Sequence, residues 1–120
     1  MSRLTLPWPP SNNVYWRHLP NGRTLISRDG KAYRASVWAA WLEQARAFGI
    51  PCVAVPVKVT IEAYFPNEIR RDLDNLPKAI LDSLTKAGAW SDDSLIEDLR
   101  IVRRCPNIPG GEIKIEIEEA

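Results

Sequence analysis

The segment EIKIEIE at 112–118 alternates isoleucine with charged residues without a break. A strand sends alternate side chains to opposite faces, whereas a helix would scatter these isoleucines around its axis. The segment can therefore bury Ile113, Ile115 and Ile117 together only as an extended strand with one face in a core. A second stretch has the same period. Val53, Val55, Val57, Val59, Ile61, Ala63 and Phe65 hold the odd positions, with Lys58, Thr60, Glu62 and Tyr64 between the later ones. This predicts a strand over 53–65 that stops at Pro66. A further strand is expected over 95–104, joined to 112–118 through a turn at PGG, 109–111. RLTLP at 3–7 reads as a short strand running into the Pro-rich WPPSNN.

Two segments carry the helical period instead. Between about 28 and 48, Val37, Trp38, Trp41, Leu42, Ala45 and Phe48 follow i, i+3, i+4 spacing and predict one buried stripe. Ser27 is the expected N-cap, and Gly49 and Pro51 end the helix. Trp38 and Trp41 are read as core residues rather than base-stacking ones. Between about 75 and 87, Leu76, Ile80, Leu84 and Ala87 fall on one side, and Gly88 stops the helix. Pro77 is compatible because a first-turn residue needs no intrahelical donor. Residues 14–27 are expected to form an exposed, basic, mobile loop with a turn at PNGR, 20–23. The order is β-α-β-α-β-β: an α+β, two-layer domain over 1–120, a mixed sheet with two helices packed on it.

With 45% hydrophobic residues among 120, the chain can bury a core as a single domain. No apolar run approaches the ~18 residues of a membrane-spanning helix, so no membrane partner is expected. MSRLTLPWPPSNN lacks the apolar stretch of a secretory signal, so a cytoplasmic chain is expected. Cys52 and Cys105 are then read as reduced packing residues. His18 is the single histidine and no CxxC occurs, which disfavours a Cys–His metal site. The net charge of +1 conceals an asymmetry. The first 34 residues set Arg3, Arg17, Arg23, Arg28, Lys31 and Arg34 against Asp29 alone, while the last nine hold Glu112, Glu116, Glu118 and Glu119 against Lys114. A polyanionic partner for the N-terminal third is compatible with this.

The stretch RRDLDNLPK at 70–78 places Asp72 and Asp74 one residue apart, framed by Arg70, Arg71 and Lys78. On a helical wheel Asp74, Lys78 and Asp82 project the same way, and a second acidic pair, Asp92–Asp93, follows the helix. An ordinary structural reading makes Asp74 a helix cap. It pairs Asp74 with Lys78 and Asp82 with Lys86 at i, i+4, each pair worth ~0.3–0.5 kcal/mol. Asp72 fits that reading poorly, because it adds repulsion that a proton or a cation must relieve. Oxygen-only donors favour a hard ion, Mg²⁺ or Mn²⁺. An EF-hand loop is excluded by Leu76, Pro77 and Ser83, and the DxDx[TV] phosphatase motif fails at Leu76. His18 is read as a phosphate contact or an exposed residue rather than a general base.

DLDNLPKAILDSLTKAGAWSDD resembles the signature of the RusA family of Holliday junction resolvases, small endonucleases often carried by prophages. The resemblance extends to LPWPPSNNVYWR, to SRDGKAYR and to the closing strands around PGGE, so it covers almost the whole chain. It implies Asp72, Asp74 and Asp93 as catalytic and metal-binding residues and Lys78 as an essential catalytic side chain. Asn75, Asp82 and Asp92 match signature positions of supporting roles. It further implies a homodimer that nicks two strands of a four-way DNA junction symmetrically, in recombination and repair, with Mg²⁺ or Mn²⁺ and a preference for CC dinucleotides. A bacterial or phage-encoded, nucleoid-associated protein is the expectation. In this chemistry a metal-activated water attacks, and Lys78 meets the developing charge. Arg17, Arg23, Arg28, Arg70 and Arg71 are the candidate DNA contacts. The chain departs from the family in its short arginine run, NEIRR, and its near-neutral charge, which bear on junction affinity rather than on chemistry. Two alternatives stand beside this reading: a broader branched-DNA or flap nuclease, and a catalytically silent junction-binding protein. The intact acidic set speaks against the second, since a pure binder gains nothing from aspartates facing phosphates.

Overall fold

The computed structural model describes residues 2–68 and 72–120, so Arg70 and Arg71 lie outside the described residues. The elements are β1 (Ser2–Leu6), α1 (Asn12–Tyr15), β2 (Trp16–His18), β3 (Thr24–Ile26), α2 (Arg28–Phe48), β4 (Val57–Tyr64), α3 (Pro77–Ala87), β5 (Ile96–Arg104) and β6 (Glu112–Glu119). Short 3₁₀ turns at Leu73–Asn75 and Asp93–Leu95 flank α3. The expected α+β architecture is present. A four-stranded sheet runs in the order β1-β6-β4-β5, and β2 and β3 form a separate two-stranded ribbon.

The sheet is mixed because α3 carries the chain from β4 back to start β5 parallel to it, while β6 lies antiparallel to both β4 and β1. Alternation sets its two faces. Val57, Val59, Ile61 and Ala63 of β4 and Ile113, Ile115 and Ile117 of β6 are buried, and their neighbours in sequence turn away from the core. Leu4, Ile115, Ile61 and Ile101 stand in one cross-strand row. The helices close the core over these rows with Tyr33, Val37 and Trp41 of α2 and Ala79, Ile80 and Leu84 of α3. On the opposite face polar pairs form instead, such as Glu62 with Arg104 at 2.7 Å.

Several expectations change. The strand expected over 53–65 begins at Val57: Pro56 lacks a ladder donor, and Val53 is bridged separately to Trp90. The turn at 109–111 does not join two paired strands, because β4 lies between β5 and β6. The connection crosses the end of β4, where the Ile108 N–H donates to the Phe65 carbonyl at 3.0 Å. Gly111 has φ +75° there, and a Cβ would lie 2.6 Å from the Trp8 ring, so only glycine fits. Trp41 is core, but Trp38 is 53% exposed and Phe48 71%. The buried line of α2 runs Gly30, Tyr33, Val37, Trp41, which leaves Trp38 about 100° off it. Both cysteines are exposed thiols rather than packing residues. Residues 14–27 are not a plain loop: they hold the end of α1 and the strands β2 and β3.

Candidate active site

Pro77 takes the first helical position of α3, and the chain before it folds as a 3₁₀ turn in which Leu76 N–H reaches the Leu73 carbonyl at 3.2 Å. The helix therefore starts two residues later than the expected 75, and its N-cap is Leu76 rather than Asp74. Asp74 sits within the 3₁₀ turn, while Asp72 precedes it without a side-chain capping bond. Asp72, Asp74 and Asn75 are all exposed, so the carboxylates face solvent instead of completing the helix start.

At the other end of α3 the buried Trp90 anchors the chain, its indole N–H donating to Thr85 Oγ1 at 2.7 Å. Asp92 then caps the second 3₁₀ turn by accepting the Ser94 N–H at 3.3 Å. Hydrogen bonds from Ser94, and from Asp93, hold the Asp92 carboxyl below the usual carboxylate range. The Asp92 carboxylate is thus committed to the turn, and both Asp92 and Asp93 are exposed.

The middle of α3 faces α1 and the ribbon. Asp82 Oδ2 accepts Arg34 Nη2 at 2.7 Å and Nε at 2.9 Å, and it also accepts the Tyr15 hydroxyl. The same Arg34 Nε lies 2.9 Å from the Tyr15 oxygen, and Ser83 Oγ lies 3.4 Å from it. Burial, and then the bond to Asp82, push the Tyr15 phenol up. Burial works against the Arg34 charge, but its bonds to Tyr15 and Asp82 outweigh that and raise its pKa. Asp82 pairs with Arg34, not with Lys86 as i, i+4 spacing suggests, because Arg34 on the packed helix α2 is partly buried and brings two N–H donors to one carboxylate oxygen.

Tyr15 is brought there by the start of α2. Ser27 Oγ accepts the Gly30 N–H at 2.9 Å and lies 2.9 Å from the Tyr15 carbonyl, which also accepts the Ser27 N–H at 2.9 Å. A Cβ on residue 30 would collide with that carbonyl, so Gly30 permits the approach. A glycine in the first turn of an otherwise regular helix was the sequence signal for this contact. Tyr15, Trp16, Thr24 and Arg34 were not singled out as site residues by their local pattern.

One turn before Asp82, the Lys78 ammonium lies over the Trp16 ring at 5.9 Å from its centroid. Lys78, Trp16, His18 and Thr24 line an open cleft of about 500 Å³. Among the described residues Lys78 forms no ion pair with Asp74 or Asp82. Arg17, Arg23 and Arg28 are exposed on the ribbon and at the start of α2.

The structure thus joins Lys78 to the ribbon and Asp82 to Arg34, but it does not gather Asp72, Asp74 and Asp93 within one chain. Among the described residues no three acidic, histidine or cysteine side chains come together in a metal-holding group. Asp72 and Asp74 precede α3 and Asp93 follows it, with a helix of 11 residues, ~16 Å of rise, between them. Chemically the donors suit a hard cation: exposed carboxylates, which in Mg²⁺ sites supply one or two ligands beside water and substrate phosphate.

The family model described as endodeoxyribonuclease RusA matches residues 7–118. A relative from Escherichia coli O139:H28 (strain E24377A), described as crossover junction endodeoxyribonuclease RusA, is 48% identical over 116 residues, 97% of this chain and 92% of the relative. The relative of the same description from Escherichia coli strain K12 is 47% identical over the same shares. One from Enterobacteria phage 82 is 48% identical, again over 97% of this chain and 92% of the relative.

Proposed function

The chain belongs to the RusA family of endodeoxyribonucleases, and on that footing we propose that it is a crossover junction endodeoxyribonuclease. It resolves four-way DNA junctions by paired nicks in recombination and repair. The observation that carries this reading is the exposure of Asp72, Asp74 and Asp93 around α3, free of capping duty, with Lys78 exposed on the helix between them. Carboxylates held in solvent at a cost in mutual repulsion suit a cation-binding and phosphate-cutting site better than a structural one.

Asp72, Asp74 and Asp93 are the residues that would hold Mg²⁺ or Mn²⁺, which supplies charge neutralisation at the phosphate and a nucleophile at neutral pH. Lys78 places its ammonium against negative charge that develops on the phosphate as the bond breaks. Arg17, Arg23 and Arg28, together with Arg70 and Arg71, hold flanking phosphates and fix the register of the DNA. Arg34 and Asp82 position the face of α3 that carries Lys78. The protein works as a homodimer. Symmetric nicking needs two sites, and the separation of the acidic segments along α3 favours a site in which Asp93 comes from a second copy.

A synthetic four-way junction with Mg²⁺ tests the reading. Symmetric paired nicks are expected. Binding without cutting would make the protein a junction binder, and equal cutting of flaps or single strands would make it a broader nuclease.

A further inference from the structure

The cleft beside Lys78 has a composition that phosphate binding alone does not explain. It is lined by Trp16, His18, Thr24 and Lys78, an aromatic ring among residues that carry a cation, an imidazole and a hydroxyl. Thr24 Oγ1 lies 3.4 Å from His18 Nδ1. A volume of about 500 Å³ is within the range of small-ligand sites. From these features we propose that the cleft is a nucleotide subsite in which a base that has lost its stacking neighbour at the branch point stacks on Trp16, next to the phosphate engaged by Lys78. This deepens the endonuclease reading and rests on it for the identity of the strand.

The geometry accommodates a base. At an ordinary contact of ~3.5–4 Å from the indole, its plane would lie between the ring and the ammonium. These are now 5.9 Å apart, centroid to Nζ. Lys78 is exposed, so a small swing of its side chain opens the remaining space. The cation–π contact in the present structure marks the indole face as the surface that attracts a cation, and a base with its own π-face replaces it with the ammonium moved outward. The aromatic platform is rigid. Trp16 packs edge-on to Tyr15 at 4.9 Å, and Tyr15 is fully buried and tied to Asp82 and Arg34. In the open form of a four-way junction the bases at the branch point lack a stacking neighbour on one side, and stacking on an aromatic side chain is tolerant of sequence because every base has a π-face. A stacked base would hold the strand so that its phosphate meets Lys78, linking recognition of a branch to the cutting site.

The Trp16 indole N–H has no protein acceptor among the described residues, so the ring is held by packing alone. Trp16→Phe then keeps an aromatic face without breaking a protein hydrogen bond, and Trp16→Leu keeps apolar bulk without the face. Junction affinity and single-turnover cutting would be measured with intact junctions and with junctions carrying one abasic nucleotide, moved in turn through the crossover positions, alongside thermal melts. Trp16→Leu is expected to weaken junction engagement about 10-fold, the scale of one lost stack, and Trp16→Phe less than about 3-fold. At one crossover position the abasic site should weaken the wild type by a similar factor and leave Trp16→Leu unaffected. Equal sensitivity of wild type and Trp16→Leu to every abasic position would overturn the subsite, as would wild-type engagement by Trp16→Leu. A wild-type protein that leaves the intact junction uncut with Mg²⁺ removes the endonuclease reading, while the abasic comparison by affinity still decides the subsite.

Discussion

Arg34 and Asp82, 48 residues apart in sequence, meet at 2.7 Å and join the early part of α2 to the middle of α3. Both side chains are about a quarter exposed, and Tyr15 shares the pair. Asp82→Ala leaves the guanidinium and the phenol without their acceptor, and Arg34→Ala leaves the carboxylate without its partner. Each is expected to lower stability by ~1–3 kcal/mol. A double-mutant cycle by urea unfolding should return a coupling of ~0.5–3 kcal/mol, and strict additivity would show the pair to be energetically idle.

Alkaline pH should expose the same region. Burial pushes both the Tyr15 and Tyr33 phenols above their ordinary value of 10.0. A raised folded pKa means that the unfolded chain releases its proton first, so this contribution is intact below pH ~10 and is lost as pH rises from there toward the folded values. Unfolding free energy should fall above pH 10, and less steeply in Tyr15→Phe or Tyr33→Phe. Slopes in these variants as steep as that of the wild type would assign the loss to other groups.

Asp72→Asn, Asp74→Asn and Asp93→Asn are each expected to abolish cutting while junction binding persists or tightens, because negative charge facing phosphate is removed. Mixing inactive Asp72→Asn with inactive Asp93→Asn discriminates the two arrangements of the acidic set. If Asp93 serves the partner's site, the mixed dimer has one site with both residues intact and recovers a single nick. A mixture that stays silent although subunits exchange would place the whole set within one chain.

Lys78→Met should leave the melt nearly unchanged, since an exposed cation–π contact is worth ~0.5–1 kcal/mol. Its single-turnover cutting rate on a bound junction should fall by ~100-fold or more. Lys78→Arg should restore the rate only in part, because a planar fork does not reproduce a point charge. Wild-type cutting by Lys78→Met would remove the ammonium from the mechanism.

Junction binding should weaken steeply with salt if Arg17, Arg23 and Arg28 contact phosphates together with Arg70 and Arg71. For about six phosphate contacts the slope of log K against log salt is about −5, and replacing one of these arginines with alanine should make it shallower by about one. A flat response would mark them as solvated surface.

Periodicity by itself determined the buried faces of the long strands, but not of α2, where Trp38 and Phe48 are exposed. The alternation in 57–64 and 112–118 set the core faces of β4 and β6, and Ser27 and Gly49 bounded α2 as their capping chemistry requires. Spacing also put Lys78 and Asp82 on one side of α3, where they meet Trp16 and Tyr15. What lies opposite a buried face was not legible, since a local period reports orientation and not the partner. Only the tertiary structure placed β4 between β5 and β6, because pairing is decided by matching whole apolar rows across the sheet. It likewise gave Asp82 to Arg34 rather than Lys86. Those outcomes rest on contacts between residues far apart in the chain, where packing and desolvation outweigh the ~0.5 kcal/mol that a neighbouring helical pair can offer.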